Sequence, residues 1–192
     1  MRLGILGGTF NPIHIGHLLL AECARQQCGL DAVWFMPAAQ PPHKSSRELL
    51  DGRTRLRLIR LATQGHPAFQ ASDLELKQGG VSYTIRTIRA LKARDPKTQL
   101  FFIIGSDMLE VPWRRFGELR RLCTFVVAAR TAEVTGRRRP GIRRIVMPRV
   151  DISSSSIRER VRRGRSIRYL VPEPVARAIA RGRLYQGSKA RG

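Results

Sequence analysis

His14 and His17 stand three residues apart at the end of "GGTFNPIHIGH", residues 7 to 17, close behind the apolar run 3–6. If a helix begins here, that spacing puts both imidazoles on one face of its first turn, beside the positive end of the helix dipole. Gly7 and Gly8, followed by Thr9 and Phe10, allow a backbone close enough for amide groups to approach a phosphate. Such a combination suits an anion on which charge is developing. A second cluster lies far along the chain. "DISSSSIRER", residues 151 to 160, sets Ser153, Ser154 and Ser155 at a helix start, with Arg158 as a fork-shaped donor just beyond. In "IIGSDM", Asp107 follows Gly105 at the end of an apolar run, where a carboxylate can accept hydrogen bonds from a ribose.

Other chemistries find less support. Neither G-x-G-x-x-G nor G-x-x-x-x-G-K-[ST] occurs, which removes the common dinucleotide and P-loop fingerprints. His43 and His66 are isolated in loop-like sequence, so no protein metal-ligand set is read. Cys23, Cys28 and Cys123 form no disulfide framework and read as small hydrophobes in a reduced compartment. The first residues lack a secretory pattern and no apolar run reaches membrane-spanning length, so the expectation is a cytoplasmic protein without a membrane partner.

The elements that position these residues alternate. Apolar runs at 3–6, 32–37 and 99–105 predict buried strands, and "AFQASDLEL" predicts a third between the latter two. "TFVVAA" and "IRRIVM" predict two more. Helical periodicity runs from His17 to a stop at Gly29, over 53–64 after an Asp51 cap, and through Ile85, Ile88 and Leu91. It returns in "FGELRRLC", after the serines at 153–156, and from Pro172 or Pro174 to Gly182. Alternation of this kind predicts an α/β fold: a doubly wound, mostly parallel sheet with helices on both faces. The 192 residues are read as a single domain, 1–192, with 151–192 a C-terminal helical part that completes the phosphate site. The Arg-rich segment 137–144 is expected to be a mobile loop.

Lys and Arg total 36 against 14 Asp and Glu, a formal net charge of +22. Such a field attracts polyanions or small phosphorylated substrates. Residues 137–168 hold twelve arginines, two acidic residues and no aromatic, so base stacking on single strands has nothing to stand on there. No specific nucleic-acid partner is therefore expected, and the oligomeric state is left open.

"GGTFNPIHIGH" resembles the G-G-T-F-x-P-x-H-x-G-H signature of the nucleotidyltransferase superfamily, and "ISSSSIR" resembles its I-S-S-T-x-I-R element. With "PPHK" at 41–44, "GGVSYTIRTI" at 79–88 and "IIGSDMLEVPWRRFGEL" at 103–119, nearly the whole chain resembles the bacterial nicotinate-nucleotide adenylyltransferases. The resemblance implies a Rossmann-like nucleotidyltransferase fold and transfer of the adenylyl group of ATP, with Mg²⁺, to nicotinate mononucleotide. It implies that Gly7, Gly8, Thr9, Phe10, His14, His17, Gly105, Asp107, Ser153, Ser154, Ser155 and Arg158 bind ATP. His14, His17 and Arg158 would be catalytic. Asn11, Lys44, Thr84, Trp113 and Arg130 would face nicotinate mononucleotide. Three departures stand out: Asn11 where aspartate is usual, Ser155 for threonine, and "ARTAE" at 129–133 where K-R-P-G is typical.

Overall fold

Residues 1–41, 49–105, 113–129 and 141–186 are described by a computed structural model. Lys44, Asp107 and Arg130 lie outside the described residues, as do residues 137–140. Among the described residues the strands are β1 (Arg2–Gly8), β2 (Ala32–Pro37), β3 (Phe69–Ala71), β4 (Gln99–Gly105), β5 (Thr124–Ala129) and β6 (Ile142–Val146). The helices are α1 (Ile15–Cys28), α2 (Gly52–Thr63), α3 (Leu74–Gln78), α4 (Thr84–Arg94), α5 (Phe116–Leu122), α6 (Ser154–Arg162) and α7 (Glu173–Arg181).

The sheet order is β3-β2-β1-β4-β5-β6, and every pairing is parallel. Strand β4 shows how two cores arise from one apolar run. Phe101 and Ile103 point to a layer shared with α1, α2, α6 and α7; Leu100, Phe102 and Ile104 point to a layer shared with α4 and α5. A period of two feeding both faces is what a covered parallel sheet requires. Strand order reverses between β1 and β4, so the crevice beyond their carboxyl ends is where a ligand is expected.

Local signals explain the helix ends. Gly29 closes α1 in the left-handed region, at φ 60°. Asp51 caps α2 by accepting from the Thr54 amide at 3.0 Å, and Ser153 caps α6 by accepting from the Ser156 amide at 3.0 Å. Among the described residues no helix is long and apolar enough to cross a membrane.

Three expectations change. The third strand stops at Ala71, and "LEL" belongs to α3, where Asp73 pairs with Lys77 four residues on. Of the segment 137–144, expected to be a mobile loop, residues 142–144 lie in β6, held by β5 on one side, with Arg143 and Arg144 exposed. Gly7 and Gly8 belong to β1, and the positive φ of the following turn falls on Phe10, at 48°. What the glycines supply is room. A Cβ on Gly8 would meet the Phe10 ring at 3.1 Å, and one on Gly7 would meet the Phe102 ring at 3.3 Å.

Candidate active site

The turn after β1 and the start of α6 meet, although about 140 residues separate them. Ser154 Oγ donates to the Pro12 carbonyl at 2.8 Å, and Arg158 Nη1 donates to the Asn11 carbonyl at 3.0 Å. Arg158 Nη2 also reaches Ser155 Oγ, at 3.3 Å. The turn 167–171 braces the same corner, because the Leu170 carbonyl accepts from the first amide of α1, Ile15, at 3.0 Å. Hydroxyls, a guanidinium and the positive ends of two helices therefore converge on one crevice.

His14 is the residue before α1 and His17 lies in its first turn. His17 Nδ1 accepts from the His14 amide at 3.2 Å. A nitrogen that accepts carries no proton, so neutral His17 holds its proton on Nε2 and can donate from there. The two imidazoles lie with centroids 3.7 Å apart, and the Phe10 ring packs edge-on to His17 at 4.9 Å. His14 is buried, its Nδ1 has no hydrogen-bond partner among the described residues, and burial brings its pKa down to about 4. It is neutral at pH 7, because burial disfavours the charged imidazolium. Gly16 makes this stacking possible, since a Cβ there would meet His14 Nδ1 at 3.1 Å.

On the neighbouring side, Gly105 ends β4 and Thr84 opens α4. Trp113 stands edge-on to Phe102 at 5.6 Å and to Phe125 at 5.5 Å, which fixes its plane within an aromatic cluster. Arg114 lies over the Tyr83 ring at 4.8 Å. Asn11 Oδ1 accepts from the Leu50 amide at 3.2 Å, so this side chain ties the β1 turn to the entry of α2. Gly7 and Gly8 reach the rim as the last residues of β1, and Thr9 follows them. The Ser153 hydroxyl is engaged as the α6 cap.

Two buried ionisable residues escaped the sequence reading. Arg55 is 1% exposed, and donates to the carbonyls of Leu50 (2.9 Å), Thr9 (2.8 Å) and Ala38 (2.7 Å). Its position could have been suspected, because it lies three and four residues before Leu58 and Ile59 on the apolar stripe of α2. Glu75, 7% exposed, accepts from Thr87 Oγ1 at 2.7 Å; burial raises its pKa against the pull of Thr87, Ser82 and Arg86. It was hidden because its segment was read as a strand.

Comparison with known proteins bears on what this crevice does. A family model described as cytidylyltransferase-like matches residues 5–160. A protein of Lactiplantibacillus plantarum named "Probable nicotinate-nucleotide adenylyltransferase" is 44% identical over 187 residues, spanning 96% of this chain and 88% of its own. One of the same name from Exiguobacterium sibiricum is 44% identical over 197 residues, spanning 96% and 99%. The solved nicotinic acid mononucleotide adenylyltransferase of Plasmodium falciparum, complexed with NaAD, superposes with a TM-score of 0.79 over 96% of this chain and 97% of that one. At 19% identity it speaks to the fold.

Proposed function

The chain belongs to the cytidylyltransferase-like family and, within it, to the nicotinate-nucleotide adenylyltransferases; from that premise we propose that it transfers the adenylyl group of ATP to nicotinate mononucleotide, forming deamido-NAD and pyrophosphate. The observation that carries this reading is the joining of the β1 turn to the α6 start through Ser154–Pro12 and Arg158–Asn11. It gathers on one crevice the donors that a triphosphate needs. The three free cysteines suit a reducing, cytoplasmic setting.

The nucleophile is the phosphate of nicotinate mononucleotide. Its second pKa is near ~6, so much of it is dianionic at neutral pH and needs no strong general base. The oxygen attacks the α-phosphorus, the bond to the β-phosphate oxygen breaks, and pyrophosphate leaves with the electron pair. The work left to the protein is to align two anions that repel and to meet the charge that shifts onto the leaving group. His17 donates from Nε2, the tautomer that its Nδ1 contact selects. His14 enters neutral and gains basicity as the triphosphate arrives, because nearby negative charge favours imidazolium. Arg158, held by the Asn11 carbonyl and Ser155, turns its guanidinium charge toward the phosphate oxygens. To the adenosine and phosphates of ATP we assign Gly7–Phe10, Gly105 and Asp107, together with Ser153–Ser155. To the acceptor we assign Asn11, Lys44, Thr84 and Arg130, with Trp113 offering a face to the pyridine ring.

A divalent metal travels with ATP, and we take it to be Mg²⁺, which spreads the phosphate charge when bound. Among the described residues no three His, Cys, Asp or Glu side chains gather into a group that could hold a metal ion. The decisive experiment measures pyrophosphate release with ATP and, side by side, nicotinate mononucleotide, nicotinamide mononucleotide and pantetheine phosphate. Turnover with the acid mononucleotide, well above the others, is expected; preference for another acceptor would replace this reading.

A further inference from the structure

Arg55 and Glu75 sit on different helices and are buried among mainly neutral groups, an arrangement that costs stability unless each charge is answered. The answer is a single peptide unit between them. Arg55 Nη2 donates to the Ala38 carbonyl at 2.7 Å, and the N–H of that same peptide, on Ala39, donates to Ser82 Oγ at 2.8 Å. Beyond it lies the Glu75 carboxylate, whose charged form the Ser82 side chain favours. Guanidinium, peptide, hydroxyl and carboxylate follow one another, and the two hydrogen bonds that join the first three run the same way. The peptide dipole has its oxygen toward the cation and its N–H toward the anion, so each member polarises the next.

The line crosses the rim of the crevice. At one end Arg55 also holds the Thr9 carbonyl in the β1 turn, at 2.8 Å, and the Leu50 carbonyl at the α2 entry, at 2.9 Å. At the other end, Thr87 of α4 donates to Glu75 at 2.7 Å. Ser82 returns a backbone bond, its amide donating to the Gln40 carbonyl at 3.1 Å, immediately ahead of Tyr83 and of Thr84, the first residue of α4. We propose that Arg55 and Glu75 are paired positioning residues which, through the Ala38–Ala39 peptide and Ser82, hold the phosphate turn and the acceptor-side segments in register. This rests on the adenylyl-transfer reading. Neither residue needs to touch substrate. The planar fork of Arg55 reaches three carbonyls at once, which the tetrahedral ammonium of lysine on a flexible stem does not reproduce.

The test is a mutant cycle on the full chain with Ser82→Ala, Glu75→Gln, their double, and Arg55→Lys. Kinetic constants are measured for ATP and nicotinate mononucleotide, and thermal midpoints alongside. KM does not depend on how much of a preparation is folded, so it is read on the soluble fraction even where yields fall. Ser82→Ala and Glu75→Gln should each raise KM for nicotinate mononucleotide about fivefold to tenfold and leave KM for ATP nearly unchanged, because misplacement alone costs this much. The double variant should be little worse than either single, since both cut the same line. Arg55→Lys should raise both KM values, because it also releases Thr9. Lower midpoints with unchanged KM values would make the network mere scaffolding and overturn the proposal, as would strictly additive effects in the double variant. If wild-type protein forms no deamido-NAD from these substrates, it is the reading of the reaction that fails, not the pairing.

Discussion

In the proposed reaction the two sides of the crevice meet different partners. The phosphate side is a gathering of donors: His17 with its proton on Nε2, Arg158 anchored on a carbonyl, and two helix starts. Its parts are polar and sit a few ångströms from backbone that fixes them. The acceptor side is a wall of rings, with Trp113 edge-on to Phe102 and Phe125 and Tyr83 under Arg114. One side meets charge that grows during the reaction, while the other meets a flat ring that is the same before and after. Groups of the first kind should therefore act on kcat, and groups of the second kind on KM.

The largest expected effect is on the phosphate side. His17→Ala should lower kcat at least about a hundredfold, the loss typical of one donor to a transition-state oxyanion, about 2.7–4 kcal/mol. Circular dichroism should confirm an intact fold, because His17 contributes little to either core. A folded variant with near-normal turnover would remove this imidazole from the mechanism and end the contrast. Trp113→Ala is the counterpart. It should raise KM for nicotinate mononucleotide about tenfold, within the ~1–3 kcal/mol that an aromatic face gives a stacked ring, and barely move KM for ATP. Equal shifts in both would mean that the aromatic cluster supports the whole rim and not one substrate.

Burial makes a third, pH-dependent prediction. His14 has a folded pKa of about 4 against an ordinary value of 6.5. Above 6.5 it is neutral in both states and its burial costs nothing extra. As pH falls from 6.5 toward 4, the unfolded chain binds a proton that the folded one refuses, so stability drops through that window and levels off below it. The share assignable to His14 is on the order of 3 kcal/mol. Urea unfolding at pH 7 and pH 5 should show the loss in wild type and a smaller one in His14→Asn. Equal losses in the two proteins would place the titration elsewhere. Bound ATP should shrink the loss, because phosphate charge raises the affinity of His14 for a proton.

The contrast also explains what was legible in the sequence. On the phosphate side each half is a contiguous motif, since a turn and the helix start after it must be consecutive in the chain. Strand β4 was legible for a similar reason: a run such as "LFFII" has only one comfortable place, a strand covered on both faces. Glu75 was not legible, because three strand residues followed by a five-residue helix leave too little sequence for either period to show. Arg55 was hidden differently. An arginine is ordinarily a surface residue, and only the three carbonyls supplied by Thr9, Ala38 and Leu50, from separate segments, make its burial tolerable. Gly7 and Gly8 were read as letting a phosphate approach the backbone; that Gly8 gives space to the Phe10 ring, and Gly16 to that of His14, was not legible. Contacts between distant segments are not written in local pattern.

The smallest expected effect sits behind the phosphate side. Tyr185 packs against the core layer of α1, α2, α6 and α7, and its hydroxyl is buried with no hydrogen-bond partner among the described residues. Burial raises its pKa, against the pull of nearby Arg158 and Arg55, so it stays a neutral phenol. A desolvated, unpaired hydroxyl regains its hydrogen bonds to water only on unfolding. Tyr185→Phe keeps the ring and deletes that liability. The variant should be as stable as wild type or better by up to about 1 kcal/mol, a rise in thermal midpoint of no more than about 2–4 °C for a chain of this size, with kcat unchanged. A fall in kcat at constant midpoint would give a different answer: the hydroxyl would then be turning toward bound phosphates between the two arginines, and the donor side of the crevice would extend one residue deeper than its motifs.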